Sequence, residues 1–236
     1  MSGLDFGAVL AIGIHDMKNS LNRVLSSLDA LSESCGHGES GQGESGQGEA
    51  LAQLQYEARR MKDNLTKMLT IYRHDHGLYA PNFAPVDLCE LLEDAWLNNK
   101  PLMDQYAIRC TIDCQPDLHW TLDPYLVTSL IENVLTNTLR YTKERVRLSA
   151  RQGGDWLCLE VEDDGPGFPA DMLGPRHLRD SSAPDAQLGN TGLGLHFCAL
   201  VAERHRAPDG THGRIELSND GALGGGRFAL RLPTLR

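Results

Sequence analysis

Hydrophobic positions recur at alternating spacings of four and three residues in two stretches of the first third of the chain. The first stretch comprises Leu10, Ile14, Met17, Leu21, Val24, Leu28 and Leu31. The second comprises Leu51, Leu54, Ala58, Met61, Leu65, Met68 and Tyr72. This spacing gathers the apolar side chains into one stripe along a helix, called the seam below, as in coiled coils and helix bundles. Two such helices of similar length predict an antiparallel hairpin.

The predicted hairpin has too little core to be stable alone. Two hairpins from two chains would form a four-helix bundle, so the pattern predicts a homodimer. Between the helices the unit GESGQ occurs twice, starting at Gly38 and at Gly43. Frequent glycine without apolar partners is typical of a flexible linker, which we expect at the tip of the hairpin.

The pattern changes at the stretch GLYAPNFAP, residues 77–85, which contains two prolines and a glycine. This change predicts two domains, a helical one over residues 1–78 and an α/β one over residues 79–236. In the second domain the pattern predicts helices over 88–98, 124–141 and 194–205, strands over 108–114, 145–151, 156–163, 213–218 and 227–232, and a loop-rich stretch over 165–190. The predicted fold class is therefore α+β, with an α/β sandwich that carries helices on one face of a mixed sheet.

Composition narrows the classes of partner. The 236 residues are 41% hydrophobic and carry a formal net charge of -10, which disfavours nucleic-acid binding. The longest apolar stretch near the start, residues 8–14, is too short to cross a bilayer and lacks the features of a signal peptide. We therefore expect a soluble, cytoplasmic chain without nucleic-acid or membrane partners.

None of the six cysteines forms a CxxC pair. Cys110 and Cys114 share one face of a predicted strand, but no second ligand pair lies nearby in sequence. Buried, reduced thiols are the expected state of the cysteines, in preference to a metal site.

One candidate binding motif is IENVLTNTLRYT, on a predicted helix. Asn133 and Asn137 are four residues apart and so share one face of the helix. Their amide oxygens could ligate a hard cation such as Mg²⁺, and Arg140 could reach a phosphate. A merely polar helix face explains the motif equally well when it is considered alone.

Two further motifs are rich in glycine. In VEDDGPGFP a predicted strand ends at Asp163, whose carboxylate could accept a hydrogen bond from an exocyclic amine; Gly165 and Gly167 would allow close backbone approach, although an ordinary turn has the same residues. In GNTGLGLHFC, from Gly189, a glycine-rich turn leads into a helix and predicts an anion site. A Walker loop is excluded because no GKS or GKT follows, and a dinucleotide fold is disfavoured by the position of the motif.

In this order, Asn-x-x-x-Asn, DxGxG and GxTGLGL resemble the ATP-binding domain shared by histidine kinases, gyrase-type topoisomerases, Hsp90 chaperones and mismatch-repair ATPases. The segment GIHDMKNSL, on the first predicted helix, resembles the phosphoacceptor box of sensor histidine kinases. The resemblance covers about residues 5–234. It implies a dimeric phosphoacceptor hairpin followed by an ATPase sandwich of the type called GHKL.

The resemblance also implies roles for individual residues. His15 matches the phosphorylated histidine, Asp16 the acid that orients or deprotonates the imidazole, and Asn19 the residue that positions water for dephosphorylation of the partner. Asn137 matches the Mg²⁺ ligand, and Asp163 matches the residue that reads adenine. The implied nucleotide-binding set is Asn133, Asn137, Arg140, Tyr141, Asp163, Gly165, Gly167, Thr191, Gly192, Leu193 and Gly194.

The implied activity is that of an ATP-dependent protein-histidine kinase, which autophosphorylates His15 and passes the phosphate to an aspartate of a response-regulator receiver domain. The family's phosphatase activity toward that regulator is a further expectation. The chain departs from the family in having Ser20 in place of the usual proline. Only 14 residues precede His15, so we expect a separate sensor protein or a longer parent chain.

Two alternatives stay open. A phosphotransfer module of the same architecture could relay phosphate without ATP turnover, but the intact glycine motifs and Asn137 disfavour it. An ATPase of the GHKL type acting as a chaperone or a serine kinase would not need a phosphoacceptor hairpin, so HDMKN disfavours that reading.

Overall fold

The protein is described by a computed structural model. It covers residues 80–176 and 193–235, together with Met17, Ser20, Arg23, Val24, Met61, Asn64, Leu65, Lys67, Met68, Thr70, Ile71, Tyr72 and His74. The chain divides into two compact units. The first consists of Met1–Tyr79 with Asp185–Leu193, and the second of Ala80–Pro184 with Gly194–Arg236.

The second unit is built on a mixed six-stranded sheet. Its strands are β2 (Arg109–Cys114), β4 (Arg145–Gly153), β5 (Trp156–Asp163), β6 (Gly174–Arg176), β7 (Arg214–Ser218) and β8 (Arg227–Pro233). They lie in the order β2-β4-β5-β8-β7-β6. The β2–β4 pair is parallel and the other pairs are antiparallel. In β5, residues Leu157, Leu159 and Val161 are buried on one face while Cys158 and Glu160 lie on the other, which is the alternation expected of a sheet covered on one side.

Among the described residues, three helices accompany this sheet: α1 (Leu88–Gln105), α2 (Pro124–Thr138) and α3 (Leu193–Arg204). Aspartate caps start the first two helices, because the Asp87 side chain accepts from the amides of Cys89 and Glu90, and Asp123 accepts from that of Leu126. The apolar side of α2 is fully buried and comprises Leu126, Val127, Leu130, Ile131, Val134 and Leu135. The predicted α/β sandwich is confirmed.

A second, two-stranded sheet lies outside the prediction. Strand β1 (Ala84–Asp87) pairs antiparallel with β3 (His119–Leu122). Each strand has four residues, too few for an alternating pattern to stand out, and β1 overlaps the stretch that we predicted to be irregular. The pairing forms between segments far apart in the chain, so the local sequence carries little signal for it.

Cysteine chemistry also differs from the expectation. Cys89 and Cys114 form a disulfide with a Cα–Cα distance of 5.6 Å, so the prediction of reduced thiols is wrong for this pair. The N-terminus of α1 meets the C-terminus of β2, which no spacing in the sequence reveals. Cys110, Cys158 and Cys198 keep reduced sulfurs, as predicted, and burial raises the pKa of Cys110 and of Cys158 to about 11.

The described residues of the first unit, from Met17 to His74, are helical. Of the predicted seam, Met68 is buried whereas 47% of the Leu65 surface is exposed in the single chain. His15, Asp16, Asn19 and the glycine-rich linker lie outside the described residues, and the hairpin and the bundle stay predictions. No helix in the described part of the chain combines the length and apolar character of a membrane span.

Candidate functional site

The asparagine face of α2 packs on the start of α3. Asn133 is 3% exposed, and its Nδ2 donates to the Gly194 carbonyl at 3.2 Å and to the Cys198 sulfur at 3.4 Å. A Cβ added at Gly194 would come within 3.1 Å of both polar side-chain atoms of Asn133. Gly194 therefore allows the two helices to approach closely, and Asn133 joins them.

Asn133 also orients Asn137. The Asn137 Nδ2 donates to the Asn133 Oδ1 at 3.4 Å, which directs the other amide atom, the Asn137 Oδ1, away from Asn133. No donor to this oxygen is found in the part of the chain that the structure describes. An amide oxygen fixed in this way is suited to a hard cation, so the residues present fit Mg²⁺. Within residues 80–176 and 193–235, no cluster of three or more His, Cys, Asp or Glu side chains offers an alternative metal site.

Asp163, the last residue of β5, is buried, with 7% of its surface exposed. Its Oδ1 accepts from the amide of Gly165 at 2.7 Å and from that of Gly226 at 3.3 Å. Among the described residues no donor reaches Oδ2. Burial raises the pKa of Asp163, while the two amides oppose that shift. The carboxylate is thus held by one oxygen and keeps the other as an acceptor for a ligand.

The neighbouring Asp164 fixes the chain that follows α2. Its Oδ1 accepts from the amides of Lys143, Glu144 and Arg145 at 3.0, 3.1 and 3.2 Å. Although burial opposes it, these hydrogen bonds hold the pKa of Asp164 below its usual range. A Cβ at Gly165 would collide with the carbonyl oxygen of Tyr141. The end of the asparagine motif and the DxGxG turn therefore pack directly together.

Gly225 and Gly226, at the end of the loop between β7 and β8 (residues 219–226), form a further wall of the site. The amide of Gly225 donates to the Asp163 carbonyl at 3.1 Å, and a Cβ there would lie 2.6 Å from the Asp163 Oδ1. A Cβ at Gly226 would lie 3.0 Å from the Asp163 Oδ2. No binding role was predicted for this glycine run, although bare backbone beside a carboxylate requires glycine.

The buried carboxylate of Glu162, on β5, also holds this loop. The Glu162 side chain is 3% exposed, and its Oε2 accepts from the amide of Ala222 at 3.0 Å while its Oε1 accepts from Arg147 at 2.7 Å. Burying a charge is costly unless it is paired and hydrogen-bonded, and Glu162 satisfies both conditions. Its role was not predicted from the sequence.

Comparison with protein families agrees with this arrangement. A family model described as "Histidine kinase-, DNA gyrase B-, and HSP90-like ATPase" matches residues 122–236, which include α2, Asp163 and α3. The predicted GHKL-type ATP-binding domain is confirmed.

The relatives found for the longer stretch are histidine kinases and two-component sensors. The chain is 25% identical over 229 residues to the signal transduction histidine-protein kinase AfsQ2 of Streptomyces coelicolor, covering 93% of this chain and 41% of that protein. It is 27% identical to the sensor histidine kinase CpxA of Escherichia coli (93% and 45%) and 29% identical to the two-component sensor PhoQ of Pseudomonas aeruginosa (94% and 45%). The chain spans less than half the length of these relatives. The resemblance to sensor histidine kinases is confirmed, and the names support the predicted enzyme class.

Solved structures show the same fold. The histidine kinase AdeS of Acinetobacter baumannii superimposes with a TM-score of 0.61 at 14% identity, covering 94% of this chain and 98% of that one. The catalytic domain of the histidine kinase ThkA gives 0.53 at 19% identity, covering 65% and 96%. At these identities the likeness concerns the fold alone.

Eight of the eleven predicted nucleotide-binding residues of this ATPase domain fall into three groups. Asn133, Asn137 and Gly194 meet where α2 packs on α3, and Asp163, Gly165 and Gly167 form the turn after β5. Arg140 and Tyr141 follow α2 and are exposed, with Tyr141 at 48%. Leu193 begins α3, and Thr191 and Gly192 lie outside the described residues. The roles of all these residues stay predictions.

Proposed function

We propose that the chain is the catalytic part of an ATP-dependent protein-histidine kinase that autophosphorylates His15. The observation that carries the proposal is the Asp163 carboxylate, which is nearly buried, is held by two backbone amides on Oδ1 and keeps Oδ2 as an acceptor. This is the acceptor that the exocyclic amine of adenine needs. The names of the histidine-kinase relatives support the enzyme class.

Each part of the nucleotide has a candidate partner in this site. Asp163 must be deprotonated to accept the adenine amine through Oδ2. Asn137 would hold Mg²⁺ through Oδ1, with its amide oriented by Asn133. Magnesium supplies neutralisation of phosphate charge, on which phosphoryl transfer chiefly depends. The N-terminal end of α3 would face the phosphates with its free amides, and Arg140 would add a positive charge.

The first unit would supply the acceptor. We propose a helical hairpin that dimerises into a four-helix bundle, with His15 as nucleophile and Asp16 fixing its neutral tautomer. The phosphate would then pass to an aspartate of a response-regulator receiver domain. Asn19, one helical turn from His15, would place water for dephosphorylation of that regulator. Because ATP is the donor, we expect the chain to act in the cytoplasm, with its signal supplied by a sensor segment or a separate sensor protein.

Labelling with γ-³²P ATP tests the phosphoacceptor. We expect the wild-type chain to take up label that is lost in acid and kept in alkali, since phosphohistidine is acid-labile. His15→Gln should take up no label and still bind ATP as the wild type does. Asp163→Ala should lose ATP affinity by about 5- to 150-fold, because a buried acceptor is removed from its partner.

The outcomes separate the alternatives. Label retained in acid would favour a serine kinase of the same ATPase family. Absence of both label and ATP binding would favour a phosphotransfer module. Undiminished labelling of His15→Gln would show that the acceptor is another residue, and the matched variant His119→Gln, which alters an exposed histidine of the ATPase domain, should label fully.

A further inference from the structure

Asn219, the first residue of the β7–β8 loop, forms two hydrogen bonds with the backbone of Phe168. Its Oδ1 accepts from the Phe168 amide at 2.7 Å, and its Nδ2 donates to the Phe168 carbonyl at 2.8 Å. Both polar groups of one peptide residue are thereby satisfied by one side chain, as they would be by a neighbouring strand. The contact spans 51 residues of sequence and connects the end of β7 with the turn that follows β5.

The hydrogen bonds between Asn219 and Phe168 require glycine at position 167. Its φ is +79°, in the left-handed region that favours glycine, and a Cβ at this position would lie 2.7 Å from the Asn219 Oδ1. Any other residue at 167 would thus be strained and would also displace the amide group of Asn219. The second glycine of the DxGxG motif is therefore needed here for contact with Asn219 as well as for the turn itself.

Phe168 and Gly226 connect Asn219 to Asp163. The ring of Phe168 lies against the backbone of Gly226, where a Cβ would come within 3.0 Å of the ring Cε2. The amide of Gly226 in turn donates to the Asp163 Oδ1. Phe168 so limits how far the Gly226 peptide can move away from the carboxylate.

We propose that Asn219 is a positioning residue for adenine recognition: by fixing Phe168 it keeps the Gly226 peptide beside Asp163 and leaves the second carboxylate oxygen open to the 6-amino group of the base. This deepens the proposed function and rests on it. Asn219 is exposed, so in its absence water can satisfy the Phe168 backbone, and the fold survives while the turn loses its fixed position.

The test compares the binding of ATP with that of inosine triphosphate, which lacks the 6-amino group, by titration of the full chain. We expect the wild type to prefer ATP and Asp163→Ala to lose that preference. In Asn219→Ala the affinity for ATP should fall roughly 2- to 10-fold, the worth of one or two neutral hydrogen bonds, with the affinity for inosine triphosphate unchanged. The control Asp220→Ala alters the next residue, which is exposed and contacts Arg227, and should bind both nucleotides as the wild type does.

Amide hydrogen exchange at Phe168 supplies a second measurement that needs no nucleotide. Exchange should be faster in Asn219→Ala, because the amide loses its acceptor, and unchanged in Asp220→Ala. Equal losses of affinity for both nucleotides in Asn219→Ala would overturn the role in recognition, since they would indicate general support of the fold. If Asn219→Ala keeps the wild-type preference for ATP over inosine triphosphate, the role of Asn219 is overturned and the adenine role of Asp163 is not. A wild type without any preference overturns the adenine role of Asp163 itself.

Discussion

At the scale of single residues, His205 shows how a titratable group can join elements without taking part in chemistry. It is fully buried, its Nε2 accepts from the amide of Asp123 at 3.1 Å, and its Nδ1 lies 2.8 Å from the Val201 carbonyl. An amide can only donate and a carbonyl can only accept, so the ring is neutral with its proton on Nδ1. It connects the end of α3 with the N-cap of α2, the helix that carries Asn133 and Asn137.

This arrangement predicts acid sensitivity. Burial lowers the pKa of His205 below its usual 6.5, while the Val201 carbonyl and Asp123 oppose the shift. Below pH 6.5 the histidine takes up a proton in the unfolded chain but stays neutral in the folded chain. Stability therefore falls as the pH falls, and the unfolding free energy should decrease below about pH 6.5. Denaturant titrations should show a weaker pH dependence in His205→Gln; the same dependence as the wild type would contradict the assignment, and the exposed control His119→Gln should retain it.

At the scale of elements, the strands were predictable because their alternation depends on neighbours in sequence. The helix over 88–98 was predicted too short: α1 continues to Gln105 and includes Pro101. Proline usually ends a helix because it lacks an amide hydrogen and crowds the preceding turn. Here Met103, two residues after Pro101, is 1% exposed. Its burial favours continuing the helix for two turns despite the proline.

The disulfide gives a prediction at the same scale. It joins the first turn of α1 to the end of β2 across a sequence separation of 25 residues. A cross-link of this length removes chain entropy from the unfolded state and should stabilise the domain by about 3 kcal/mol. Unfolding with and without dithiothreitol should differ by that amount in the wild type.

The double variant Cys89→Ser/Cys114→Ser should match the reduced wild type and be insensitive to dithiothreitol. Cys110→Ser, in the same strand, should behave as the wild type. Alkylation and mass spectrometry that found Cys89 and Cys114 fully reactive in the native protein, without reductant, would contradict the pairing.

At the scale of the whole molecule, the central prediction is the dimer. Leu65 belongs to the predicted seam and is 47% exposed in the single chain, as expected of a residue that a second chain would cover. Light scattering should give about twice the chain mass of 26.0 kDa.

Leu65→Asp should shift the equilibrium toward the monomer, because a carboxylate in the seam of a helix bundle would be buried without a partner. Leu97→Asp is the matched control, since Leu97 is 54% exposed on α1 of the ATPase domain, and it should remain dimeric. A wild type that is monomeric at all accessible concentrations would rule out the bundle.

The sequence by itself indicated the GHKL-type ATP-binding domain and its main strands and helices, and it singled out Asn133, Asn137 and Asp163 as candidate site residues. These follow from local periodicity and from motifs whose spacing is short, since residues four apart on a helix, or two apart in a turn, keep their geometry in any fold. The tertiary structure decided which atoms of those residues remain open to a ligand, because burial and backbone contacts come from distant segments. The disulfide, the Asn219 contact with Phe168 and the Gly226 amide on Asp163 join positions between 25 and 63 residues apart. Such contacts depend on how the sheet is ordered, and no local pattern encodes that order.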